Sequence, residues 1–363
     1  MTGGWRALSV AGLGAVGIAL LAAATVCVSS GCSTIGYYAQ SVGGHLALVR
    51  AARPVPDWLA DAHTPAALKA RLELSQRIRD FAVSALHQPD NASYRRYADL
   101  KRASAVWNVV AAPELSLKLQ TWCFPVVGCV GYRGYYELTE ANAFADGLRE
   151  QALEVSVYGV PAYSTLGMLP GDALKDPLLN TFIDYPEGEL ARLIFHELAH
   201  QIAFAAGDTV FNESFATTVE RLGAERWLRE RAGPQARAEY EQVEARRRDF
   251  RELATRYRDR FQALYDSAAS VADKRSAKAA LLAELRADHE AMKRARWGGF
   301  SGYDGWFARA NNASFGVLAA YNQLVPNFER LFEREGRDWP AFYAQVKRLA
   351  ALPLAERRKA LDR

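Results

Sequence analysis

Histidine, cysteine and an excess of charge of either sign are what this sequence has least of. Its 45 lysines and arginines are nearly matched by 41 aspartates and glutamates, which leaves a net charge of +4. No dense basic patch interleaves with aromatics, so the electrostatic footprint of a nucleic-acid binder is missing. The basic residues lie mostly in helical stretches with acidic partners, as from Glu239 to Arg260, and read as solvated faces. Internal repeats and low-complexity linkers are missing too. The 363 residues therefore suit one large domain or two modest ones.

The four cysteines are Cys27, Cys32, Cys123 and Cys129. The first two belong to the N-terminal segment. Cys123 and Cys129 have no histidine nearby, which argues against a metal site. In an oxidising compartment they can close a small loop as a disulfide, and otherwise they are two buried thiols.

What the N-terminus has is an uncharged apolar run from Ala7 to Val28, after Arg6 and before Ser29-Ser30-Gly31-Cys32. A basic start, an apolar stretch and a small-residue end make an export signal. The run is also long enough for an uncleaved membrane anchor, and simple secretion is a third reading. Gly31-Cys32 favours a bacterial lipoprotein signal, residues 1–31, cleaved before Cys32, which then carries the lipid. Ser33 after that cysteine points to the outer membrane. The expected location is the bacterial cell envelope, lipid-anchored and facing the periplasm.

Apolar spacing predicts a helix over 66–88 and a second helical run from about Tyr94 to Leu119. The Gly- and aromatic-rich stretch 122–136 reads as loop, and 139–153 as helix. Glu154 to Leu166 has strand composition. Glu187 to Ala206 is the strongest helix, with Leu190, Ile194, Leu198 and Ile202 as its apolar stripe. Asn212 is placed to cap the next helix, which ends before Gly233-Pro234. Residues 235–296 read as a long helical hairpin turning near Ser270. The C-terminal region is helical, with breaks near Pro326 and Pro340. The expected fold is mainly α (α+β), one domain over 32–363 with a small β-sheet and the hairpin as an insertion at about 235–296.

The chemistry concentrates in His196-Glu197-Leu198-Ala199-His200. Two histidines four residues apart share a helix face, so both imidazoles can reach one ion. Glu197 is turned about 100° from His196 and stands beside that ion, placed to take a proton from water. Two imidazoles and a carboxylate with an open fourth position suit zinc. With six histidines in the chain, this pentad arises by chance at roughly the one-in-a-hundred level.

The candidate third ligand is Glu213, in Phe211-Asn212-Glu213-Ser214-Phe215-Ala216, with Glu220 its competitor two helical turns on. Asp208 and Asp184 are candidates to orient the histidines. Tyr321, Tyr303 and Asn312 are candidate transition-state stabilisers. His289 is expected to be exposed on the hairpin.

His-Glu-Leu-Ala-His-Gln followed by Asn-Glu-Ser-Phe-Ala resembles the gluzincin pattern, in which a glutamate on a second helix completes a two-histidine zinc site. Large zinc aminopeptidases keep a longer spacer than the twelve residues, 201–212, found here. The closer resemblance is to a family of predicted bacterial zinc aminopeptidases with lipoprotein-like N-termini. Gly31-Cys32-Ser33, residues 162–167, Asp176-Pro177, the pentad with Gln201, and Asn311-Asn312-Ala313 carry it. The resemblance implies a zincin-like fold, one zinc ion per chain and peptide hydrolysis, with aminopeptidase action. The expected partners are a peptide substrate and, through the lipid, a membrane. Two other readings stay open: a zinc hydrolase of another amide, such as a cell-wall peptide, and a non-catalytic envelope scaffold.

Overall fold

A computed structural model describes residues 32–124, 128–162 and 171–362, the side chains of 32–35, 173 and 319–321 excepted. The expected export signal, residues 1–31, lies outside the described residues. Cys32 is described only as the first backbone position of helix α1 (Cys32–Ala51). Residues up to Ala47 make one compact unit and Leu48–Arg363 the other. Among the described residues no helix is long and apolar enough to cross a membrane.

The larger unit is mainly helical with small sheets. Strand β1 (Arg53–Pro54) leads into α2 (Val55–Ala60) and α3 (Ala66–Ser84). β2 (Arg96–Ala98) follows, then β3 (Val106–Pro113), where the sequence pattern predicted helix. β3 is the centre of an antiparallel sheet, between β6 (Arg133–Tyr135) and β7 (Leu153–Val160). Val106 and the run from Val109 to Ala112 are all buried, so the strand shows no polar alternation. Such a run cannot be told from a buried helix by period. The stretch expected to be loop holds β6 and a second pair, β4 (Trp122–Phe124) and β5 (Gly128–Val130). In that pair Cys123 faces Cys129, and the two form a disulfide. The helix after it, α4 (Leu138–Arg149), stands close to its expected place, and β8 (Leu178–Leu179) joins β2 in parallel.

Two helices form the heart of the unit, α5 (Glu187–Ala199) and α6 (Thr209–Glu230). α5 opens after Pro186 with Glu187 and Glu189 at its positive end, where carboxylates are favoured. Leu190, Ile194 and Leu198 are fully buried, while the chain leaves the helix after Ala199, earlier than the stripe suggested. Asp208, not Asn212, caps α6, accepting a hydrogen bond from the Phe211 amide. Asn212 sits inside the first turn and reaches back to the Ala205 backbone, bonding both its N–H and its C=O.

α7 (Pro234–Asp266) and α8 (Val271–Arg296) form the long hairpin, joined by the turn at 267–270. Arg260 pairs with Glu284 and Arg256 with Asp288, which sets the antiparallel register. The hairpin has its own core of Phe250, Tyr257, Phe261, Leu285, Trp297 and Phe307. His289 is part of it: it is 3% exposed and its ring stacks on Phe307 at 4.0 Å, contrary to the expected exposure. A face read as solvated by its charges thus carries a second core.

Helices α9 (Asp304–Arg309), α10 (Asn312–Asn322), α11 (Val325–Arg334), α12 (Trp339–Ala350) and α13 (Leu354–Leu361) complete the chain. Pro326 and Pro340 stand in the first turns of α11 and α12, where proline's missing N–H costs nothing. Arg357 on α13 is 6% exposed and pairs with Asp208 at 2.6 Å, and it also donates to the carbonyls of Leu349, Ala350 and Leu352. One buried guanidinium therefore ties the C-terminus to the start of α6. Arg357→Ala should destabilise the fold by about 3–5 kcal/mol, because Asp208 is left charged and buried with only Arg358 beside it. Chemical denaturation reads this, and a loss under 1 kcal/mol would show that the pair is not a structural tie.

Candidate metal centre

The sequence places His196 and His200 one turn apart on the face of α5 that meets α6. α6 runs back antiparallel, with Glu213 and Glu220 two turns apart on its facing side. Close approach is built in: a Cβ at Gly223 would stand 2.8 Å from Leu86 and 2.9 Å from the Phe195 ring. This register sets Glu213 beside both histidines and Glu220 beside His196 alone.

Three atoms meet at the centre. His196 Nε2 lies 3.2 Å from His200 Nε2, and Glu213 Oε2 lies 3.4 Å from the first and 3.8 Å from the second. A point equidistant from three atoms so spaced lies about 2.0 Å from each, the length of a zinc–nitrogen or zinc–oxygen bond. Among the described residues His196, His200 and Glu213 form one of two groups able to hold a metal ion. The other, His289 with Glu290 and Asp304, has Lys293 donating to Asp304 at 2.5 Å, so an ammonium already holds its charge.

Glu220 occupies the opposite edge of the His196 ring. Its Oε2 is 2.9 Å from His196 Nδ1, and its Oε1 pairs with Arg192, one turn before His196. Glu213 thus faces Nε2 of His196, and Glu220 faces Nδ1. Arg192 pairs also with Glu244 of α7 at 2.6 Å, and Glu244 accepts from Arg247 at 2.6 Å and Arg251 at 2.8 Å. Neither expected orienting aspartate takes this place. Asp208 is held by Arg357 and Arg358, and Asp184 is exposed on the loop before α5. The sequence signal for Arg192 was its spacing, one helical turn before the first histidine.

The charges divide along this column. Burial alone pulls His196 down, but hydrogen bonds to Glu213 and Glu220, with their charges and that of Glu197, raise it well above the usual imidazole range. His200 is lowered to about 4, chiefly by burial. Burial pushes Glu220 up, yet Arg192 and His196 outweigh it and bring the carboxyl to about 2. Glu213 is lowered as well, since the two histidines outweigh its burial.

Glu197 is half-buried next to this cluster, and its negative charge reaches His196 and Tyr94. Gln201 accepts from Asn91 at 2.7 Å and donates to Ser93 at 3.1 Å, fastening the 86–95 loop to the end of α5. The expected stabilisers Tyr303 and Asn312 lie elsewhere. Tyr303 stacks on Phe250 at 4.5 Å in the hairpin core. Asn312 spends its side chain on Tyr265, Pro113 and Glu114. Tyr321 is on α10, with its side chain outside the described residues.

A protein-family model described as "Putative aminopeptidase" matches residues 36–361, and the chain belongs to that family. No curated protein and no solved structure matches it.

The cluster predicts how affinity for a divalent cation depends on pH. Between pH 5 and 6.5 the raised His196 holds a proton that the cation must displace, while His200 and both glutamates have already lost theirs. Affinity should therefore rise about tenfold per pH unit, one proton leaving per ion. Two ordinary histidines would approach a hundredfold per unit. Glu220→Gln should weaken zinc binding roughly 10–100-fold, as expected for loss of a partner that orients a ligand. Calorimetric titration over that pH range measures both effects. An affinity indifferent to pH and to Glu220 would remove His196 from the site.

Proposed function

We propose that this member of the putative aminopeptidase family is a zinc-dependent peptidase, with His196, His200 and Glu213 holding the ion and Glu197 as general base. The observation that carries the reading is the convergence of three ligand atoms on one point, with a half-buried carboxylate on the adjacent residue. A scaffold's structural metal site has no need of such a base.

A zinc ion there supplies a Lewis acid that polarises a carbonyl and makes water a stronger acid. The rest falls to the chain. His196 and His200 present Nε2, and the Glu220 carboxylate accepts from Nδ1–H and so selects that tautomer for His196. Glu197 takes a proton from the attacking water and returns it to the amine that leaves. Arg192 keeps Glu220 ionised, so Glu220 orients a ligand and does not compete for protons.

The family name supports aminopeptidase action, which asks for recognition of a free substrate N-terminus. The same reading anchors the chain through a lipid on Cys32 in the outer membrane, facing the periplasm. Gly31-Cys32 after the apolar run supports it. So does the Cys123–Cys129 disulfide, which belongs to an oxidising compartment.

The purified protein should carry about one zinc per chain and lose it in His196→Ala, His200→Ala and Glu213→Ala, since a catalytic zinc takes three protein ligands. Glu197→Gln should keep the zinc while turnover falls about 10²–10⁴-fold, the contribution of a positioned base. Zinc analysis and a peptide library with cut sites read by mass spectrometry test this. An equally active Glu197→Gln variant would sink the mechanism, and cuts away from the N-terminus would make the enzyme an endopeptidase.

Cys32→Ala should abolish lipid labelling and release the protein from membranes of a Gram-negative host. Variant protein that stays uncleaved and membrane-bound would instead mark residues 1–31 as a plain anchor.

A further inference from the structure

Hydrolysis of an amide builds negative charge on the carbonyl oxygen, and a preorganised donor aimed at that oxygen is among the largest contributions an active site makes. Among the described residues two phenols feel the charge of the site's carboxylates, Tyr94 that of Glu197 and Tyr158 that of Glu213. Tyr94 is 1% exposed and belongs to the main core, so no substrate reaches it. Tyr158 is half-buried on β7, an edge strand of the sheet β6-β3-β7 among the described residues.

Strand alternation decides where Tyr158 points. Glu154, Ser156 and Tyr158 share one face of β7, opposite Ala112, Val110 and Asn108 of β3. Glu154 of that face accepts from the Asn312 amide at the start of α10. Val110 and Ala112 pack on Ala313 of α10, and Tyr158 packs with them, beside Val317. α10 in turn packs against α6, and the Leu324 amide just beyond its end donates to Ser214, the residue after Glu213. Tyr158 therefore lies on the sheet face that looks toward the ligand-bearing end of α6.

Its hydroxyl is also oriented. Asn108 stands directly across the ladder from Tyr158, and their side chains hydrogen-bond. Burial, with the Glu213 charge adding to it, raises this phenol to about 12 despite the Asn108 bond, so it keeps its proton at neutral pH.

We propose that Tyr158 is the donor to the oxyanion formed when water adds to the scissile carbonyl, an inference that rests on the peptidase reading above. Water forms the new carbon–oxygen bond as its proton passes to Glu197. The carbonyl π pair moves onto oxygen, which accepts the Tyr158 hydrogen bond without taking the proton. Collapse reforms the carbonyl, breaks the carbon–nitrogen bond, and the amine leaves with the proton from Glu197. No co-reactant beyond water is needed.

The test compares Tyr158→Phe with Tyr321→Phe in the zinc-loaded full chain. Phenylalanine keeps the ring that packs on α10, so the fold survives. Tyr158→Phe should hold wild-type zinc, lose about 10²–10³-fold in kcat with KM within about threefold, and bind a phosphinic peptide weaker by a similar factor. The phosphinic group mimics the tetrahedral oxyanion, and calorimetry reads its binding without turnover. The proposal falls if Tyr158→Phe stays within threefold of wild type, if its loss tracks loss of zinc, or if Tyr321→Phe shows the defect in its place. Should the wild type cleave no peptide, the peptidase reading fails by itself. Phosphinic binding then decides: weakening on Tyr158→Phe supports the donor role, whereas equal binding, or none by the wild type, overturns it.

Discussion

Everything at the centre depends on the antiparallel contact between α5 and α6, and on the requirement that charges buried there be paired. α5 contributes Arg192, His196 and His200 at single-turn intervals, and α6 answers with Glu220 and Glu213 two turns apart. Desolvation costs several kcal/mol per buried ion, while a pair at 4 Å recovers about 4 kcal/mol at an effective dielectric of 20. One partner per charge is therefore close to break-even, and Glu220 and Arg192 each have two. Glu220 is bonded by Arg192 and His196, and Arg192 by Glu220 and Glu244. A slip of one turn along either helix would leave a carboxylate or a guanidinium unpaired. The register that satisfies the charges is the register that gathers His196, His200 and Glu213.

This constraint gives the long hairpin a part in the site. α7 and α8 hold a separate aromatic core. Yet Glu244 of α7 reaches Arg192, and Arg247 bridges Glu244 to Glu189 in the first turn of α5. The spacing Glu244, Arg247, Arg251 keeps these residues on one helix face, turned to α5. The contact is close, since a Cβ at Gly188 would stand 2.5 Å from the Tyr240 ring. The hairpin braces α5 along its first turns, and α3 adds Phe81 beside Phe195 further on. Ligands set on helices held this way keep their geometry better than ligands on loops.

Other elements show which contributions come only from packing. Among the residues read as loop, Cys123 and Cys129 directly face each other across a two-stranded ladder, and that pairing depends on register. Tyr158 falls within the stretch of strand composition from Glu154. It becomes a candidate donor only because β3 supplies Asn108 opposite it and α10 closes the face it occupies. The expected helix over 94–119 failed for the same kind of reason. Val109 to Ala112 is buried on both faces of β3, so the pattern had no polar side from which to read a period.

The sequence by itself determined the main helices and the place of the candidate site. The four-residue spacing of His196 and His200 acts through the helix's own geometry, and the apolar stripe of α5 and the return helix with Glu213 are local signals of the same range. It determined the hairpin too, because more than sixty residues of helical composition leave little else for that stretch to do. Tertiary structure alone decided that Glu213 and not Glu220 shares the Nε2 side of His196, and that Arg192 and Glu244 hold Glu220 in place. It also decided that His289 is a core residue and that Asp208 serves the C-terminus and not the histidines. Those outcomes depend on which faces of distant elements meet. Side-chain spacing along one helix is fixed by 3.6 residues per turn, but nothing local records the rotation of one helix against another.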